Sequence, residues 1–205
     1  MKKFMLFVLS LLLLANCSSA LHPVQTEGVT LDPKENTLIS EKGSYRVEVK
    51  IAPQSYAFYG MEDTFIIFFV KMENLSNDII ETSLEDFVIL DDKMNQVNVM
   101  SVKDVAKIIE QNLFYLIPYP YIGYYSEGQN YYEGRYLYNP GAPHTYPVSP
   151  KDIYLDAFPY GKILPKANIK GKIYFKKRLS DAKKINLKAV KSGNDYLFNF
   201  YFEVK

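Results

Sequence analysis

The chain predicts a mostly β protein, an antiparallel sandwich, and three observations carry that prediction. Short runs rich in β-branched and aromatic residues recur from Tyr45 to the C-terminus, several of them alternating apolar with polar residues. Turn-forming Asn, Asp, Gly and Pro separate these runs at short intervals. Sustained helical periodicity is found once, over residues 102–113. Of the 205 residues, 18 are Tyr and 13 Phe, with no Trp. That is enough apolar surface for one domain with a sizeable core and barely enough for two.

The chain opens with Lys2 and Lys3, followed by an apolar run over 4–14 that only Ser10 interrupts. The run falls short of the ~20 apolar residues that cross a bilayer. Charge, apolar core and small residues in that order describe a secretory signal peptide, here residues 1–16. It ends at Cys17, the single cysteine of the chain. With one cysteine no intramolecular disulfide can form, so an extracytoplasmic domain of this size stands on its core.

Leu14-Ala15-Asn16-Cys17 resembles the lipobox of bacterial lipoproteins, with Asn16 where that family usually has Gly, Ala or Ser. The resemblance implies that the Cys17 thiol receives a diacylglycerol group, that the leader is cut before it, and that the new amino group is acylated. Two or three acyl chains meet the requirement for stable anchoring, because one chain holds only marginally. Ser18 stands where Asp, in Gram-negative lipoproteins, favours the inner membrane. The implied location is therefore the cell envelope, on the outer membrane facing the periplasm if the host is Gram-negative. Residues 17–42, with Pro23, Gly28 and Pro33, read as the lipidated N-terminus and a tether, with a short edge strand near 37–39.

A single sandwich domain is expected over 43–205. Tyr45–Ile51 alternates without a fault. Residues 64–72 are apolar on both faces, which predicts a central strand covered on both sides. Residues 74–78 form a turn; Asn74-Leu75-Ser76 fits a glycosylation acceptor, which the expected bacterial host discounts. A short strand follows at 79–82, then a hairpin of 87–90 with 96–100 around 91–95. Glu85, Asp86, Asp91 and Asp92 lack the spacing, Gly and terminal Glu of a calcium loop, so turn chemistry is their expected role. Ser101 caps the one short helix, with Asp104 at the capping-box position and Val102, Val105, Ala106, Ile109 and Leu113 on one face. That helix should close one end of the sandwich.

Residues 114–160 are a Tyr/Pro-rich insertion, expected to be a long loop. Twelve of the 18 Tyr and seven of the 11 Pro fall there. Pro118-Tyr119-Pro120-Tyr121 cannot lie inside a sheet ladder, because proline donates no hydrogen bond. Loops of such length are functional or disordered, and this aromatic content argues against simple disorder. Tyr119, Tyr121, Tyr124, Tyr125, Tyr131 and Tyr132 are the candidate partner-binding residues, with rings that fold back over the sandwich as the competing expectation. Strands resume at 169–176, 185–190 and 195–203, and the aromatic even-numbered residues of the last line one face. Gly171 marks a bulge or a close approach.

From Tyr45 onward the plan resembles the immunoglobulin-like domains of bacterial lipoproteins of unknown function. The residues behind this are the opening strand, the long apolar strand with its Asn-rich turn, the acidic hairpin, Pro165-Lys166, and Gly171-Lys172-Ile173-Tyr174-Phe175. The resemblance implies an immunoglobulin-like sandwich and brings no catalytic residue.

Loss of Lys2 and Lys3 with the leader takes the formal charge from +1 to −1, which gives nucleic acid no support as a partner. Residues 61–110 carry 11 acidic and 4 basic groups, and 161–205 carry 12 basic and 3 acidic. These halves are expected to lie beside each other and compensate, rather than to build an anion-attracting face. His22 and His144 are far apart in sequence, and neither a Gly-x-Ser-x-Gly elbow nor a phosphate loop is present. No metal or cofactor is expected, and no enzyme. The expected function is a membrane-anchored, non-catalytic binding or adhesion module that meets an envelope protein or glycan. The second reading is a structural or assembly component of the envelope, docked to another protein there.

Overall fold

The computed structural model describes residues 21–52, 64–115, 150–177 and 182–204. Two five-stranded sheets face each other. The first has the order β1 (Leu21–Val24), β12 (Asp195–Val204), β11 (Lys184–Ser192), β7 (Phe87–Asp91) and β8 (Gln96–Asn98). The second has the order β10 (Asn168–Lys176), β5 (Phe65–Asn74), β4 (Tyr45–Ile51), β3 (Thr37–Lys42) and β2 (Thr30–Asp32). A ribbon joins β6 (Ile80–Thr82) to β9 (Gly161–Ile163). All strand pairs are antiparallel.

This order is an immunoglobulin-like arrangement. β4, β5 and β10 occupy the places of strands A, B and E, and β12, β11, β7 and β8 those of G, F, C and C′. β1 extends the second set beyond G, and β3 with β2 extends the first beyond A. The apolar face of each strand turns inward. Phe198, Phe200 and Phe202 of β12 share the core with Phe68 and Phe175, with Phe68 and Phe202 ring centroids 5.0 Å apart. The acidic and basic parts of the chain do lie side by side, β5 against β10 and β7 against β11.

Several expectations need correction. Residues 21–42 are not a tether: they form β1, β2 and β3, and β1 pairs with the last strand in the register Leu21 to Val204. Pro23 is compatible with β1 because that strand is an edge and its missing N–H costs no ladder bond. The strand β5 is covered on both faces only near its start. There, helix α1 (Val102–Tyr115) lies over the outer face, where Val105 and Ile109 pack with Phe65 and Tyr174. So α1 covers a face instead of closing an end. Residues 150–160, placed in the loop, begin with a second helix, α2 (Pro150–Asp156). Pro150 suits the first turn, where its N–H has no partner to lose.

The segment from α1 to β9 stands in the chain between C′ and E, where strand D would come. The free edge of β10 is met instead by two short contacts. Val99 bridges Phe175, with the Met100 amide donating to the Tyr174 carbonyl at 2.8 Å. Ala157 bridges Lys172, with the Phe158 amide donating to the Lys172 carbonyl at 2.9 Å. The close approach expected at Gly171 is here: a Cβ on it would lie 2.5 Å from the Ala157 oxygen and from the Phe158 N and Cα. The Phe158 ring then fills the core beside Phe87, 5.5 Å away.

Asn74 holds the other end of β5. It is fully buried. Its Nδ2 donates to the Asp78, Ile163 and Leu164 carbonyls at 2.7, 3.1 and 3.2 Å, and its Oδ1 accepts from the Ser76 amide at 2.9 Å and hydroxyl at 2.7 Å. An amide engaged in this way is not a glycosylation acceptor.

Gly171→Ala should lower stability by roughly 2–3 kcal/mol, because the new methyl meets backbone that cannot step aside. Urea unfolding measures it. An unchanged midpoint with an unchanged slope would show that the chain does not pass over Gly171 so closely.

Candidate functional site

Cys17 and the six tyrosines Tyr119, Tyr121, Tyr124, Tyr125, Tyr131 and Tyr132 lie outside the described residues, as does His144. What the structure places is the frame around the tyrosine segment. The two helices that bracket it meet in one cluster: Val105 and Ile109 of α1 and Ile153 of α2 pack with Phe65 and Tyr174 on the outer sheet face. The Phe65 and Tyr174 rings meet edge to face at 6.5 Å. Lys172 of β10 pairs with Asp156 at the end of α2 at 2.6 Å. Ser101 caps α1, its hydroxyl accepting from the Asp104 amide at 3.2 Å and donating to the Asp104 carboxylate at 2.6 Å. The helices on either side of the segment are thus packed together on one sheet face.

A second arrangement, which the sequence did not single out, forms at the end of the sandwich where β12 starts. A 3-10 turn over Leu84–Asp86 presents Asp86 beside Tyr45, Tyr160 and Tyr196, and Glu85 beside Tyr196. The Asp86 carboxylate accepts from the Ser83 amide at 2.7 Å and from the backbone of Lys191. The residue before Lys191, Val190, has φ of 60°, a left-handed conformation that a β-branched side chain rarely takes. The Tyr196 hydroxyl donates to the Glu85 carbonyl at 3.3 Å. Tyr160 packs on Phe158 and Phe87 at 5.2 and 6.2 Å.

Burial pushes the Asp86 carboxyl above the usual carboxylate value, and backbone amides and Lys191 only partly offset it. Burial, and then the Asp86 charge, also hold the Tyr45, Tyr160 and Tyr196 phenols protonated. Such a set can accept hydrogen bonds from hydroxyl or ammonium groups at Asp86 and offer aromatic surface beside them. Each of the three tyrosines stands at the edge of an apolar run next to a turn. That position was the signal available in the sequence.

At the opposite end, Asp91 shows the turn chemistry expected of it. Its Oδ1 accepts from the Lys93 and Asn95 amides at 2.8 and 2.7 Å, and its Oδ2 from the Asn95 side chain at 2.7 Å. These bonds, led by the Asn95 side chain, pull its carboxyl below the usual range. Among the described residues, no group of three or more His, Cys, Asp or Glu gathers as a metal site, and no helix is long and apolar enough to cross a membrane. His22 lies in β1 opposite Glu203.

Compared with models of known protein families, with curated proteins and with solved structures, the chain matches none.

The two aspartates should titrate on opposite sides of the ordinary value of about 3.9. Asp91, depressed in the fold, contributes stability that is present above its unfolded value and lost as pH falls through its folded one. Asp86, raised in the fold, is disfavoured when charged, so its effect on stability declines as pH rises through its folded value. Asp86→Asn should therefore leave stability at neutral pH unchanged or raised, by less than about 1 kcal/mol because the group is only half-buried. A side-chain carboxyl NMR titration reads both. Asp86 titrating below Asp91 would overturn the assignment.

Proposed function

We propose that this chain is a lipid-anchored, extracytoplasmic protein of the cell envelope, and that its sandwich is a non-catalytic binding module. One observation carries the binding reading: α1 and α2, which flank the tyrosine-rich segment in the chain, pack in a single cluster on the sandwich. An insertion held in this way is a common means of presenting a contact surface from a rigid scaffold. Tyr119, Tyr121, Tyr124, Tyr125, Tyr131 and Tyr132 are its proposed contacts. Tyrosine suits the face of a protein or a glycan, with a stiff apolar ring and a polar tip. The cluster of Tyr45, Tyr160 and Tyr196 about Asp86 is a secondary contact of the same character.

A second reading has its own support. The outer edges of the β6/β9 ribbon pair with no other strand among the described residues, and the flanking Ile79 and Leu164 are 56% and 60% exposed. A ribbon of this kind can take a further strand from another protein. That favours a structural or assembly component docked to an envelope partner.

Metabolic labelling with a radioactive fatty acid should mark the chain and leave Cys17→Ala unmarked; label on the variant would end the anchor assignment. Crosslinking in the envelope tests the binding surface. Replacing the six tyrosines with Ser should remove the captured partners, with circular dichroism confirming the fold. Partners that persist at full yield would shift the function to the ribbon.

A further inference from the structure

The two ends of the sandwich differ in chemistry, and the chain enters at one of them. Leu21 pairs with Val204, the Val204 amide donates to the Lys183 carbonyl at 2.9 Å, and the Asp92 amide donates to the Lys184 carbonyl at 3.1 Å. One row across the sheet end therefore runs from Leu21 to the hairpin tip of 91–95. Lys176 ends β10, and the connection that follows leads to Lys183 and Lys184, so all three lysines flank the same end. Lys176 and Lys183 are exposed, and the Lys184 side chain is 65% exposed. At the tip, Met94 is 73% exposed with φ of 65°. The three hydrogen bonds to Asp91 hold this loop in shape, so the thioether projects from a stiff turn.

We propose that this end seats on an anionic lipid surface, with Met94 entering the interface and Lys176, Lys183 and Lys184 meeting the phosphate headgroups. The proposal rests on the lipid-anchored reading above, which supplies the position. Leu21 is four residues after Cys17, a reach of at most about 14 Å. An acylated Cys17 thus holds this end within one or two screening lengths of the headgroups, where basic side chains are attracted. Among the described residues, the acidic groups at this end are mostly engaged: Asp91 is turned into its own loop, Glu203 sits 3.7 Å from Lys184, Glu35 pairs with Lys50 at 3.3 Å, and Asp32 accepts from the Lys34 amide, while Asp92 is exposed beside Lys93. An exposed apolar side chain with basic ones on the same end is the composition that interfacial binding uses.

The test is amine footprinting of the purified, lipidated chain, reconstituted in vesicles of phosphatidylcholine alone or mixed with phosphatidylglycerol. On the anionic vesicles, acylation of Lys176, Lys183 and Lys184 should slow by roughly fivefold, the equivalent of one basic side chain's attraction to such a surface. Lys188 and Lys191, on the body and far end of β11, should react equally in both. Peroxide oxidation of Met94 should slow with the three lysines. Equal labelling on both vesicle types, with the protein membrane-bound, overturns the seating and leaves the anchor intact. A mass spectrum showing unmodified Cys17 overturns the anchor, and the seating with it.

Discussion

The passage of residues 157–158 over Gly171 is the constraint on which the rest of this sandwich depends. β10 stands at the edge of its sheet where strand D would be expected, and an open edge there would expose both the ladder and the core behind it. The chain covers part of it with two fragments, Val99–Met100 near the C-terminal end of β10 and Ala157–Phe158 at its middle. Neither is a strand. Each supplies one backbone amide to β10, and the second also drives a phenylalanine into the core. That requires backbone on backbone at a distance only glycine permits. Because Phe158 is set there, Tyr160 lies against Phe87, β9 reaches β6, and the Ile163 and Leu164 carbonyls come to the buried amide of Asn74.

The same arrangement explains which parts of the fold were legible in the sequence. β4, β5, β10, β11 and β12 are long and alternate, so the period of two is visible without any tertiary knowledge. The hairpin of β7 and β8 is legible from the Asp and Asn of its turn. β1, β2 and β9 are three or four residues long and contain or border Pro or Gly; β1 and β2 form against longer neighbours that offer a ladder, and β9 against the equally short β6, so none shows a period of its own. α2 begins with a proline inside a segment dense in prolines, so its buried Ile153 had no periodic context. Of the candidate site, the positions of Cys17 and the tyrosines were matters of composition and motif. The grouping of Tyr45, Tyr160 and Tyr196 about Asp86 was not legible, because it is made by strand ends that are remote in the chain.

The two ends of the sandwich use carboxylates in opposite ways. At one end Asp91 is satisfied by three hydrogen bonds and stabilises a stiff turn. At the other, Asp86 is half-buried among phenols and disfavoured as a charge, and the strained Val190 backbone stands beside it. Strain and an unfavourable charge persist in a fold only where the surrounding packing over-determines them, here the Phe87, Phe158 and Tyr160 rings. The lysine-rich basic segment and the acidic segment pair within the sheets, which leaves the distinctive chemistry to the ends.

The pairing of β1 with β12 has a kinetic consequence. β12 follows the other described strands in the chain, and it stands between β1 and β11. A chain that emerges N-terminus first can zip β2 through β5 as a local meander, each strand beside the one just formed. The opposite sheet has no such order, since β1 is joined to β11 only through β12, which lies about 170 residues further along the chain. Until β12 is made, β1 has nothing to pair with and three phenylalanines of the core are absent. Contacts this distant in sequence form slowly, so β1 stays uncommitted until β12 is in place, and that sheet closes later than its partner.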